Sequence, residues 1–91
     1  MSGARRSELF AAKLRAARAV MNWSQTDLGR RLGITQRAVY MIEHARVEVR
    51  KSTAAAVDEL FDQLGIQFEP LPDGGFQIMV SGRIFEHSPN A

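Results

Sequence analysis

Gln36, Arg37, Tyr40, Met41 and His44 share one side if residues 36–44 form a helix. At 100° per residue they fall on an arc from 0° to about 140°, while Ala38, Val39, Ile42 and Glu43 fall from about 200° to 340°. The second arc is small and apolar except for Glu43, so it must face a core. The first arc offers an amide, a guanidinium, a phenol, a thioether and an imidazole. Gln and Arg are side chains that bond purine edges bidentately in the major groove. Tyr and Met can lie on thymine methyl groups or on the sugar backbone. The chemistry of the arc is that of base readout, and a solvated polar face is the alternative. His44, at the end of the arc, reads equally as a contact or as exposed surface.

Such a face works only if flanking elements hold it. Thr35 reads as the N-cap of a helix over about Gln36 to Glu43. Ile34 and Val39 have the spacing of a hydrophobic staple. The same start signal stands 11 residues earlier, where Ser24 is an N-cap, Asp27 its capping-box partner, and Trp23 and Leu28 the staple. That helix runs about Gln25 to Leu32 and ends at Gly33, in the position that favours a left-handed residue. A joint of about two residues makes the two helices cross steeply, as in a helix-turn-helix unit. Gly29 reads as a close-packing position, since glycine in a helix costs roughly 1 kcal/mol against alanine.

Before this unit, Phe10, Leu14, Ala17 and Met21 make an apolar stripe on a helix capped by Ser7 and running to about Val20. After it comes a basic connector, Arg46 to Lys51, then a helix capped by Ser52 over about Thr53 to Leu64. Val57, Leu60, Phe61 and Leu64 form its buried stripe, and Gly65 ends it, with Ile66 packing back on Phe61. The period then changes to two. Ile66 and Phe68, then Phe76, Ile78 and Val80, alternate around the turn cluster Pro70 to Gly75, which predicts a β-hairpin. An isolated hairpin is marginal in water and needs a partner surface. Beyond it, Ile84 and Phe85 look exposed, and His87 has no assignable role.

The chain has 91 residues and a net charge of +2, enough for one domain. The charge is unevenly spread. Residues 1–51 carry eleven bases against four acids, a net +7, and residues 52–91 carry one base against six acids, a net −5. Such asymmetry suggests that one half meets a polyanion. With no cysteine there is neither a disulfide framework nor a thiolate metal site. Two histidines, His44 and His87, do not make a zinc site without carboxylates, so no metal and no cofactor is expected. No apolar run approaches the roughly 20 residues of a bilayer span, so no membrane is expected. Met1 to Met21 is Arg-rich and amphipathic like a transit peptide, but it runs directly into a capped helix pattern. The expected compartment is the cytoplasm. There is no Ser/His/Asp set, no Gly-rich phosphate loop and no paired carboxylates in a pocket, so no enzyme is expected.

The stretches Leu14-Arg15-Ala16-Ala17-Arg18, Trp23 to Gly29, Leu32 to Gln36, Val39 and Ile42-Glu43 together resemble the phage-repressor/Cro type of helix-turn-helix domain, the Xre family, over about Leu9 to Ile66. The resemblance implies a mainly α fold, a four-helix repressor-like domain over 7–66, to which the alternating period adds a C-terminal β-hairpin over 66–81 and a tail over 82–91. It implies that Gln36, Arg37, Tyr40 and Met41 contact bases and that Gln25 and Thr35 contact phosphate. It also implies that Arg18 and Glu43 form a buried ion pair. The helical wheel points the same way, because Glu43 is the only charge on the buried arc. A phosphate contact or a plain surface charge is the alternative for Arg18. Two features depart from the family pattern. His44-Ala45-Arg46 stands where members often have glycine after the glutamate, and a hairpin stands where many add a fifth helix. The second departure resembles small regulators, including antitoxins of HipB type, whose C-terminal strand pairs between protomers.

These features lead to the expectation of a sequence-specific double-stranded-DNA-binding regulator, a repressor acting as a homodimer. Arg5, Arg6, Arg15, Arg30, Arg31, Arg46, Arg50 and Lys51 are candidates for backbone contacts, which position without specifying. Phe68, Phe76, Ile78 and Val80 are the candidate dimer residues, with packing on the fourth helix as the alternative. An antitoxin that also grips a toxin through Asp58, Glu59 and Asp62 is a second reading. A protein-interaction module without DNA binding is a third.

Overall fold

The computed structural model describes residues 3–86; His87 and the rest of the 82–91 tail past Glu86 lie outside the described residues. Four helices come first: α1 (Gly3–Met21), α2 (Gln25–Leu32), α3 (Gln36–Glu43) and α4 (Lys51–Leu64). A two-stranded antiparallel hairpin follows, β1 (Ile66–Pro70) and β2 (Phe76–Val80), then a 3₁₀ turn over Gly82–Glu86. The fold is mainly α, as the hydrophobic periods require.

Two helix starts differ from expectation. Helix α1 begins at Gly3, so Ser7 lies inside it rather than capping it. Arg5 and Arg6 are good helix formers and carry the helix upstream. Helix α4 begins at Lys51 with Arg50 at its N-cap and no side-chain cap, so Ser52 is already helical. Ala54 N–H donating to the Arg50 carbonyl at 2.9 Å closes that first turn.

The core lies where the helices converge. Leu14, Ala17 and Met21 of α1, Trp23 and Leu28, Val39 and Ile42 of α3, and Val57 and Phe61 of α4 are all buried. Phe10 completes the α1 stripe at partial burial, and both staples close onto this core, Ile34 at partial burial.

Helices α1, α2 and α3 end in one backbone pattern, with an N–H just past the helix bonding back five residues to a carbonyl of the helix's last turn. Trp23 N–H reaches the Arg18 carbonyl, Ile34 N–H that of Gly29, and Arg46 N–H that of Met41, at 2.9 to 3.0 Å. The pivot residues Asn22, Gly33 and Ala45 have φ of 58°, 72° and 53°. Ala45 therefore adopts the left-handed conformation that glycine holds more easily. The exit from α3 takes the same left-handed pivot as those of α1 and α2 without a glycine.

In the hairpin, Ile66 faces Val80, Phe68 faces Ile78 and Pro70 faces Phe76. Paired residues share a face. Ile66 is buried, and Phe68 and Ile78 pack on the helical core, so this face is covered within the protomer over much of its length. Lys13 of α1 lies about 6 Å from the rings of both Phe68 and Phe76. Val80 stays 43% exposed at the strand's end. The Ile84-Phe85 pair is split: Ile84 is buried and Phe85 exposed. Ser81 N–H donates to the Gly65 carbonyl at 2.7 Å, continuing the ladder, and Ile84 N–H donates to the Ser81 carbonyl at 3.1 Å, closing a turn over Gly65 at the end of α4.

Candidate nucleic-acid interface

The joint between α2 and α3 is built by caps. Ser24 Oγ accepts from Asp27 N–H at 3.0 Å and Asp27 Oδ2 accepts from Ser24 N–H at 2.9 Å, the full capping box. These two bonds, the backbone one first, hold the Asp27 carboxyl below the usual carboxylate range. Thr35 Oγ1 accepts from Ala38 N–H at 3.0 Å and caps α3. A Cβ on Gly29 would stand 2.6 Å from the Ile34 carbonyl oxygen. The close approach expected at Gly29 is therefore made to the turn itself, which lets the chain double back between the helices.

This joint presents α3 outward. Gln36, Arg37, Tyr40 and His44 are exposed and Met41 is half-buried. Tyr40 and His44 stack, with ring centroids 4.1 Å apart, so His44 supports the phenol along the exposed face. Arg46 and Arg50 are exposed on the connector that follows.

Beneath that surface Glu43 is 1% exposed. Arg18 Nε donates to its Oε2 at 2.7 Å and Arg18 Nη2 to its Oε1 at 3.0 Å. These bonds, outweighing the opposing effect of burial, raise the Arg18 pKa above the ordinary arginine value. Arg18 Nη1 also donates to the Trp23 carbonyl at 2.9 Å. No buried side-chain nitrogen or oxygen among the described residues lacks a partner.

Several contacts were not legible in the sequence. Gln25 Nε2 donates to Glu43 Oε1 at 3.1 Å, and Gln36 Nε2 donates to Gln25 Oε1 at 2.6 Å. The signal for this chain was that Gln25 and Gln36 are the first residues of consecutive helices. Arg15, grouped with the phosphate candidates, donates through Nη1 to the Glu43 carbonyl at 2.5 Å and so closes the end of α3. Arg31, from the same group, stacks on the Trp23 ring at 4.1 Å. Long side chains near a core cover it as readily as they reach outward.

A capped α2, a tight turn and an outward α3 with paired amides at its start form a helix-turn-helix unit. A family model described as helix-turn-helix matches residues 14–67, more than half of the chain. The chain belongs to the helix-turn-helix family of Cro/C1 type. In this helix-turn-helix protein the match spans α2 and α3 whole and ends inside β1, so most of the hairpin lies beyond it. The family is one of DNA-binding regulatory domains. No curated protein and no solved structure matches the chain. No helix among the described residues is long and apolar enough to cross a membrane.

Proposed function

We propose that this helix-turn-helix protein is a sequence-specific double-stranded-DNA-binding transcriptional repressor that acts as a homodimer in the cytoplasm. The observation that carries the reading is the exposed first turn of α3, where Gln36 and Arg37 stand together on a capped joint. In this reading α3 enters the major groove. Gln36, Arg37, Tyr40 and Met41 meet base edges, and Gln25, Thr35, Arg46 and Arg50 meet phosphates. The net +7 of residues 1–51 favours the polyanion and the net −5 of the remainder sets which side docks.

One module makes too few contacts for useful specificity, so two copies on half-sites about one helical turn apart are required. Strand β2 pairs on one side only, and an unpaired strand edge is a template for a second chain. Val80, with Phe68, Phe76 and Ile78 behind it, stands at that element. A solution mass near twice the 10.1 kDa of one chain supports the dimer, and a mass of 10.1 kDa removes it.

A second reading, an antitoxin that binds its toxin and represses its own operon, draws on an open groove between α4 and β1. Asp58, Glu59, Asp62 and Glu69 line it with Phe68, Met79 and one base, Lys13, so acids outnumber bases and the surface suits a basic partner. A partner co-purifying from the native operon decides for this reading. Salt tests the DNA claim: log K for a duplex falls with log[salt] at roughly −0.9 per phosphate neutralised. Binding no tighter than about 10⁻⁴ M to any duplex favours an interaction module instead.

A further inference from the structure

We propose that Lys13 is a positioning residue that sets the spacing between half-sites, by fixing the tilt of the hairpin relative to α3. The proposal rests on the reading above of a DNA-binding homodimer paired through β2. Lys13 lines the groove beside Asp58, Glu59, Asp62 and Glu69, yet among the described residues it forms no ion pair with any of them. Its ammonium stands instead 5.9 Å from the Phe68 ring centroid and 6.0 Å from that of Phe76. The two rings meet edge-on at 5.9 Å, so one cation holds both strands. The ends of the hairpin are secured differently. Next to α4, Ile66 and Ile84 are buried and Ser81 N–H bonds the Gly65 carbonyl. Toward the turn, Pro70 and Leu71 are exposed, and Lys13 ties Phe76 back to α1. Helix α1 is itself fixed to the end of α3, because Arg15 bonds the Glu43 carbonyl and Arg18 the Glu43 carboxylate. It is therefore a strut from the hairpin to the reading helix. A strand the length of β2 spans about 17 Å, so a tilt of about 10° displaces its far end by about 3 Å. Neighbouring spacings differ by about 3.4 Å along the duplex. Freeing the tilt thus blurs the spacing by about one base pair and leaves the side chains that meet bases untouched.

The test compares wild type with Lys13→Met, which keeps the apolar stem and removes the charge, and with Lys13→Arg, which keeps a cation over the rings. Binding of the full chain is measured on duplexes carrying the half-sites that wild type selects, at its preferred spacing and at one base pair shorter and longer. Solution mass is recorded for each variant. A cation over an aromatic ring at a partly exposed site is worth a factor of about 2 to 5. The preference for one spacing should therefore fall by about 2- to 5-fold per protomer in Lys13→Met, and Lys13→Arg should restore it. The half-site sequence preferred by Lys13→Met should be that of wild type. An unchanged spacing preference in dimeric Lys13→Met overturns the proposal while leaving DNA binding and the dimer intact. Equal loss in Lys13→Arg overturns it too, since the cation is then not the cause. A monomeric Lys13→Met also overturns it, because Lys13 then joins the protomers rather than spacing them. A monomeric wild type, or one with no preferred sequence, overturns the homodimer or the DNA-binding reading and the proposal with it.

Discussion

Arg18 and Glu43 meet across the interior with two hydrogen bonds, 2.7 and 3.0 Å, although 25 positions separate them in the chain. Arg18 is a quarter exposed and Glu43 almost wholly buried. Removing the guanidinium leaves a buried carboxylate with only the Gln25 amide. Arg18→Ala is therefore expected to destabilise the fold by about 3–5 kcal/mol. Urea denaturation followed by Trp23 fluorescence measures it, and an unchanged midpoint contradicts the pairing.

At Gly29 two effects oppose each other. Alanine there gains roughly 1 kcal/mol of helix propensity. Its Cβ, 2.6 Å from the Ile34 oxygen, pushes on backbone that closes the joint. Overpacking of this kind costs about 1–3 kcal/mol, so Gly29→Ala is expected to lower the denaturation midpoint. A raised midpoint means the turn yields freely.

Ala45 invites the opposite change. Its φ of 53° strains an alanine, at about 1–2 kcal/mol in that region. Glycine removes the strain but adds about 0.4–1 kcal/mol of unfolded-state entropy. Ala45→Gly is expected to stabilise the protein by up to about 1 kcal/mol in the same measurement, and a lower midpoint counts against the left-handed exit.

The capping box gives a pH dependence. The Asp27 pKa is lowered in the folded state, by the Ser24 backbone bond first. Its contribution is therefore present above the unfolded-state value, about 3.9, and is lost as pH falls through the folded value. Asp27→Asn should lower the denaturation midpoint at neutral pH, with the gap to wild type closing below about pH 4. A gap that persists in acid contradicts the assignment.

The helical architecture was legible because caps, staples and the apolar stripe each act within a few residues. Ser24, Thr35 and Gly33 sit where their chemistry demands. Glu43 was legible as half of an ion pair because a lone charge on an apolar arc needs a counterpart. Other features depend on distant placement and left no local mark. The 3₁₀ turn that buries Ile84 is held by the Ile84 N–H bond to the Ser81 carbonyl and is laid over Gly65 by the end of the hairpin. Arg15 and Arg31 look in sequence like any other surface base, and only the end of α3 and the Trp23 ring give them their partners. Ser7 and Ser52 show the reverse error: a good capping residue does not start a helix whose preceding residues already accept helical geometry.

Base readout by the exposed start of α3 is open to a single measurement. Selection of bound duplexes from a genomic fragment library, run with wild type, Gln36→Ala/Arg37→Ala and Arg46→Ala, tests it most directly. Wild type is expected to enrich a two-fold symmetric site with half-sites about 10–10.5 base pairs apart. The double variant should lose that preference. Arg46→Ala should keep the preference and bind all sequences more weakly, with a salt slope smaller by about 1. Equal enrichment of all fragments by wild type, or an unchanged motif in the double variant, contradicts it.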